Sequence, residues 1–425
     1  MEVSCDDESD QCMHLVGELA EWKPAAWRRK ILRSKKLTKL LLPRQTYALV
    51  PMAEYCRSHG VACDVWVPAQ ALPSNMPTVV VGEQAVLRSA RPEDVLHPPI
   101  THRVLDDVRI RSRSNLLQLD GTLVHDDMVR VASDRLPEEY HRGVVVMPHA
   151  PAMQKARTSV RVHPIEEALS LLDATAINYS HWLTEILPKA ALWCHHASEQ
   201  GAPLLVDSGL HPNIMRSLEL MLPDDAPVIQ VPHGQEVCVR RLHHVSSPGH
   251  IPFEPRSGSP RSHGTFSTPA LDLVVQRIKR RLNLLDTDAM TGVIYVRRNA
   301  GLRNVQNVDE LDALAAQQGW TTVSPERLSF DEQVRVFHSA RLVIGATGAA
   351  MANLIFCRPG ARVAVMMSKL AETPYFYWHN MALCRDVCVE YILCEPDCSG
   401  NDGVHANFAA PIAAMAQAYR HERVA

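Results

Sequence analysis

From about residue 270 onward, apolar positions recur in a regular alternation. VIYV (293–296), WTTV (320–323), RLVI (341–344) and ARVAVMM (361–367) are short apolar runs of the kind that a parallel sheet buries on both faces. Between them, residues 308–318, 330–339 and 349–356 carry apolar side chains three and four apart, the spacing of one helix face. A further helix is predicted over 271–285. Gly319 and Gly360 stand where two of these helices should stop. The alternation predicts a doubly wound parallel sheet, whose ligand belongs at the carboxyl ends of the strands.

The N-terminal half has a different rhythm. VVVGEQAVL (79–87), SNLLQLDGTLVHD (114–126) and GVVVMP (143–148) read as short strands, and Asp120-Gly121 between two alternating runs signals a hairpin. From 165 to 232 helix and strand alternate again, with strands at 203–207 and 226–232 and a helix at 211–222. Residues 246–269 are rich in Pro, Gly and Ser, which predicts a loop and the main domain boundary.

Composition narrows the class. The chain has 425 residues, 46% hydrophobic and 21% charged, enough for two or three globular domains. A net charge of −3 gives no basis for bulk nucleic-acid binding. The first ten residues are acidic and no apolar run is long enough to span a bilayer, which predicts a cytoplasmic protein. Residues 22–43 are basic and amphipathic, so they suit either a surface helix or peripheral contact with the inner face of a membrane. The 11 cysteines are scattered except for Cys384, Cys388, Cys394 and Cys398, whose spacing departs from zinc patterns. Reduced thiols and no metal are expected.

Candidate chemistry falls in two places. Gly345, Ala346, Thr347 and Gly348 link an apolar run to a helix-like stretch, 349–356. A helix start after such a turn offers free N–H groups and a positive dipole end to phosphate, or is a plain packing turn. Arg297, Arg298 and Asn299 follow the strand at 293–296, with Arg303 and Asn304 close behind. A guanidinium can grip phosphate, and adjacent strand residues point to opposite faces, so only one of Arg297 and Arg298 need face a ligand. Residues 326–329 follow another strand and would reach the same strand ends, or only cap the next helix, since Ser329 and Glu332 make a capping box. The other place is NYSHWLTEILPKAALW (178–193), where His181 and Glu185 lie four apart on one helix face. An imidazole and a carboxylate together can act as a general base. Equally, His181 could be a core histidine and Glu185 a partner of Lys189. Pro188 should kink or restart this helix.

The run 178–188 resembles the N-x-x-H-W-x-x-[DE]-x-L-P signature of glycosyltransferase family 61. The later stretch YVRRN (295–299) and LSFDEQVRVFHSARLVIGATGAAMANLIFCRPGARV (328–363) is also similar to that family. There the turn usually reads G-x-H-G-A-G-L-x-N, which Gly345, Gly348, Ala349 and Asn353 match and Thr347 does not.

The resemblance implies an α/β GT-B fold: two Rossmann-like domains facing across a cleft, with extra short strands in the N-terminal region. Residues 1–260 would form the acceptor side and 261–400 the nucleotide-sugar side, with a C-terminal helix in 401–425 packing back on the N-terminal domain. It implies inverting transfer of a sugar from a nucleotide-sugar donor to a hydroxyl acceptor, a glycan, lipid-linked or protein group, in cell-surface or capsular polysaccharide synthesis. No essential metal is implied. Arg297, Arg298, Arg303, Gly345, Thr347, Gly348, Ala349 and Asn353 would hold the donor, and Asn178 and Trp182 would serve the acceptor side. Glu185, assisted or oriented by His181, would remove the acceptor proton, with the choice of base between the two left open. The alternatives are a degenerate binding protein of the same fold and a dinucleotide-dependent oxidoreductase; against the latter, the turn lacks a third glycine.

Overall fold

The computed structural model describes residues 44–422 except the short stretches 73–74, 90–94, 142–143, 148–151, 157–162, 198–200, 258, 260–262, 287–289, 291, 371–372 and 398–402. The acidic start and the basic segment 22–43 lie outside the described residues. The described chain is mixed α/β and carries two large sheets.

The apolar runs of the C-terminal half form a parallel sheet in the order Thr321–Val323, Gly292–Val296, Ala340–Ala346, Arg362–Ser368, Cys388–Asp397. Val293, Leu342, Val343, Ile344, Val363 and Val365 are fully buried, as a sheet covered on both faces requires. The order in which strands are added reverses between Gly292–Val296 and Ala340–Ala346, which run parallel. Connections leave those two strands toward opposite edges, so a crevice opens at their carboxyl ends.

The larger sheet has a parallel portion in the order Glu236–Val245, His163–Ser170, Leu204–Asp207, Val228–Val231. It too reverses, between His163–Ser170 and Glu236–Val245. Antiparallel pairing with Ile100–Arg111 extends it into the short strands of the N-terminal region. The predicted hairpin is there: Leu119 pairs with Thr122, and Asp120 and Gly121 have φ of 45° and 77°, as a two-residue turn of the primed type needs.

Four sequence expectations change. Residues 79–87 are a strand only at Thr78–Val81, followed by a 3₁₀ turn at Gln84–Ser89. That strand was assigned to the N-terminal domain but pairs in parallel with Cys388–Asp397 of the other sheet, where its apolar residues meet an open edge. The C-terminal helix Ile412–Ala418 packs on the C-terminal sheet rather than the N-terminal one, because Met415 and Tyr419 fill a pocket with Leu314 and Trp320. Residues 246–269 are no free linker: Gly249–His250 pairs with Thr265–Phe266, and the Phe266 ring is fully buried.

The two sheets also share a core. Helix Thr268–Arg281, counted with the C-terminal domain by sequence, packs against helices Leu187–His196 and Pro212–Met221. Its Leu271, Val274 and Ile278 join Leu183, Leu187 and Ile214 on one side and Phe330, Val334 and Met351 on the other in a single buried cluster. Arg216 spans the same junction with two bonds of 2.9 Å to Asp331. Ser329 and Glu332 form the predicted capping box of helix Phe330–Ser339.

Beneath the C-terminal sheet, Glu390 is 4% exposed. It accepts from Arg362 at 3.0 Å and from the Tyr419 hydroxyl at 2.8 Å. Removing the cation should leave a buried carboxylate short of its partner. Arg362→Ala is therefore expected to lower unfolding free energy by about 3 kcal/mol in urea titration, whereas Arg240→Ala, an exposed surface pair, should change it by less than about 1 kcal/mol.

Candidate active site

The segment after strand His163–Ser170 builds the first wall. Asn178 caps the helix beginning at Tyr179, its Oδ1 accepting from the Ser180 N–H at 3.0 Å. The next turn is not α-helical. Trp182–Ile186 forms a π turn, closed by the Leu187 N–H on the Trp182 carbonyl. Pro188 explains it: without an N–H it cannot reach the Thr184 carbonyl, and the helix widens where that bond is missing. Leu187–His196 then continues as a regular helix.

On this turn His181 and Glu185 are each 9% exposed. His181 Nδ1 lies 2.6 Å from Glu185 Oε2. Glu185 Oε1 accepts from the Ile251 N–H, so both carboxylate oxygens are engaged. Burial alone pulls His181 below the ordinary imidazole value; the Glu185 carboxylate outweighs it, helped by Asp173, and the net shift is upward. Lys189 does not pair with Glu185. It lies beside Asp126 and His244 instead. Trp182 is also turned from the ligand side: it is fully buried, with Nε1 donating to Ser217 at 2.8 Å. Its role is core packing.

The second wall begins where strand Ala340–Ala346 ends. The Thr347 N–H still bonds Met366 across the sheet at 3.0 Å. Gly348 follows, then a 3₁₀ helix at Ala349–Phe356 in place of the α-helix expected. Its first bond runs from the Met351 N–H to the Gly348 carbonyl at 2.8 Å, so the N–H groups of Ala349 and Ala350 precede the ladder. Gly348 has φ 168° and ψ 166°, extended backbone open to any residue. Glycine is needed there for another reason: a Cβ would overlap the Arg298 guanidinium. At Gly345 a Cβ would sit 2.7 Å from Met351 Sδ.

The arginines divide as the pleat demands. Arg297 faces away from the crevice, its Nε 2.9 Å from the Asp312 carboxylate, which corrects its assignment to the donor. Arg298 runs beneath the Gly348 turn and is anchored through the Leu302 carbonyl at 2.8 Å. Burial, with the like charge of Arg303, pushes Arg298 down to about 10. Arg303 stands in left-handed backbone, φ 57°, and its buried Nε has no hydrogen-bond partner among the described residues. Burial lowers it as well. Both stay cationic at neutral pH, and an anion beside them would relieve their desolvation.

The two walls face one another across a cleft of about 230 Å³. Asn178, Ser180, His181 and residues 251–253 line one side, and Arg303, Thr347, Gly348, Ala349, Tyr377 and Trp378 the other. Asn353 does not line it. Fully buried, it accepts from the Tyr179 hydroxyl at 2.7 Å and donates to Gln333 at 2.8 Å, tying the walls together. Beside it Ser180 bonds Tyr377 across the cleft. Sequence reading missed Tyr377 and Trp378, which come from a helix, Phe376–Leu383, beyond the quoted motifs. The aromatic cluster YFYW (375–378) was the only local signal. Trp378 Nε1 donates to Thr347 Oγ1 at 3.0 Å, leaving the Thr347 proton for another acceptor.

No group of three or more His, Cys, Asp or Glu among the described residues could hold a metal ion. Cys388 and Cys394 sit six residues and roughly 20 Å apart on one strand. No described helix is long and apolar enough to cross a membrane.

No curated protein matches the chain. The Glycosyltransferase 61 family model matches residues 179–364, the stretch that holds the His181–Glu185 pair, both arginines of the crevice and the Gly348 turn. Residues 179–364 therefore belong to glycosyltransferase family 61.

Proposed function

We propose that this protein transfers a sugar, with inversion, from a nucleotide-sugar donor to a hydroxyl acceptor across a GT-B-like cleft. The observation that carries the reading is one juxtaposition. His181, held by Glu185, and the Gly348 turn, flanked by Arg303 and Arg298, open on the same cleft although 167 residues separate His181 from Gly348.

In this reading the donor diphosphate lies at the start of the 3₁₀ helix. The N–H groups of Ala349 and Ala350, Arg303 and the cation beneath Gly348 stabilise charge as the glycosidic oxygen leaves with the phosphate. The Thr347 hydroxyl donates to the same end of the donor. The acceptor hydroxyl enters from the side of Asn178 and Ser180. Nδ1 of His181 is occupied, so Nε2 is the nitrogen that takes the acceptor proton, and Glu185 orients the ring and stabilises the imidazolium. Of the two assignments open from sequence, His181 as base is favoured because both Glu185 oxygens are already bonded. The proton passes from the hydroxyl to Nε2 as its oxygen attacks the anomeric carbon opposite the leaving phosphate. Arginines and backbone carry the phosphate charge, so no metal is assigned a role. Use in surface polysaccharide synthesis at the cytoplasmic face of a membrane fits this chemistry and the basic segment 22–43.

Three outcomes test the proposal. His181→Ala should cut kcat by about a hundredfold or more while nucleotide-sugar binding, read by calorimetry, stays within a factor of two or so; equal loss of both would reject the base. Arg303→Ala and Gly348→Ala should weaken nucleotide binding by about tenfold, since each loses or displaces a charge-assisted contact; unchanged titrations would remove the phosphate site. A base must be neutral, so kcat should fall as pH drops through the His181 midpoint, which lies above the usual imidazole value. A flat acid limb down to pH 5 or so would exclude histidine as the base.

A further inference from the structure

The loop after strand Glu236–Val245 makes contacts that a connector does not need. Ser246 exchanges bonds with Thr101: its N–H donates to the Thr101 carbonyl and its Oγ accepts from the Thr101 N–H, both at 2.9 Å. The Ser247 N–H donates to Asp126 Oδ2 at 3.1 Å, while Asp126 Oδ1 takes the Met128 N–H at 2.9 Å. The Pro248 carbonyl accepts from the Ser267 N–H at 2.9 Å, and Gly249 and His250 pair with Phe266 and Thr265. The chain is thus held on both sides for several residues before it reaches Ile251, whose N–H donates to Glu185 Oε1.

Gly249 is the tightest point. A Cβ on it would overlap the Thr184 carbonyl oxygen and lie 3.1 Å from the Phe266 ring. Pro188 cannot donate to that carbonyl, whose oxygen lies close against Gly249. Only a residue without a side chain can pass so close. Two residues later the strap is in register to bond the carboxylate on the same turn.

We infer that residues 247–251 are a positioning strap for the His181–Glu185 pair, with Asp126 as its anchor and Gly249 as the residue that sets its distance. The strap fixes one oxygen of Glu185, which leaves the other to fix the imidazole and aim Nε2 at the cleft. Without it the carboxylate could rotate on its own stem, toward Lys189 one turn further on. Other charged or titratable groups facing the pair are Asp173, near His181, and Tyr377, near Glu185. The inference rests on the transferase reading for its kinetic consequence and on the fold alone for its effect on the imidazole.

The experiment is a pair of measurements on Gly249→Ala and Asp126→Ala. The first is the NMR titration of the His181 ring, assigned by its loss in His181→Gln; the second is kcat and donor KM with a nucleotide sugar. In both variants the His181 midpoint should move down by about one pH unit, because the oriented carboxylate that raises it is loosened. The kcat should fall about tenfold or more with donor KM unchanged. Gly292→Ala, where an added methyl meets no atom within 4 Å, should leave both readings at the unmodified values. If Gly249→Ala does not fold, Asp126→Ala carries the test. An unmoved midpoint in folded variants, or kcat unaffected, overturns the strap. Failure of the unmodified protein to transfer any sugar would instead sink the transferase reading, and the ring titration would still decide the strap.

Discussion

One buried amide holds the two walls of the cleft in register. Asn353 has no solvent exposure, and its side chain is satisfied from both directions: Tyr179 from the first wall, Gln333 and the Ala350 carbonyl from the second. A buried amide missing one of these partners costs the desolvation of whatever is left unpaired. The bond therefore selects the relative placement at which all partners meet. His181 is two residues from Tyr179 and Gly348 is five from Asn353, so fixing one bond also constrains the distance between the imidazole and the Gly348 turn. The apolar cluster through helix Thr268–Arg281 supplies the bulk attraction between the halves but little direction. The amide supplies direction.

A second constraint acts within the first wall. Pro188 removes one helical N–H, and the consequences run outward from there. The turn at Trp182–Ile186 widens, the Thr184 carbonyl turns to a neighbouring strand, and Gly249 is the residue that can approach it. On this turn Glu185 bonds His181 and the Ile251 amide. Irregular backbone and a buried titratable pair thus share one turn.

The parallel C-terminal sheet was legible in the chain, since its strands are continuous apolar runs separated by helices of matching period, and that pattern has few other solutions. The hairpin at Asp120-Gly121 was legible because its backbone needs two positive φ angles that few residue pairs tolerate. The strand Thr78–Val81 and the C-terminal helix were misplaced, because an apolar face says that it will be buried, not against which sheet. Among the site residues, the pleat argument that split Arg297 from Arg298 needed only the sequence, yet which of them turned inward did not follow from it. Trp182 and Asn353 stand inside the motifs but turn to the interior, one to pack and one to bond the walls together; a motif records that a residue type is needed, not whether it faces ligand or core.

Local chemistry thus settled what each segment can be. Glycine at 345 and 348, proline at 188 and the four-residue spacing of His181 and Glu185 are constraints written in covalent structure and helix geometry. The sequence carried two signatures that resemble one family, and its apolar runs carried a sheet. Tertiary structure decided their relation: that both Glu185 oxygens are bonded, that Arg303 stands in the cleft with no partner for its Nε among the described residues, that Tyr377 and Trp378 join from outside the motifs, and that the distant Ile251 amide reaches the carboxylate. The reason is physical. Burial and hydrogen-bond satisfaction are properties of assembled neighbours, and residues far apart along the chain become neighbours only once the core has closed.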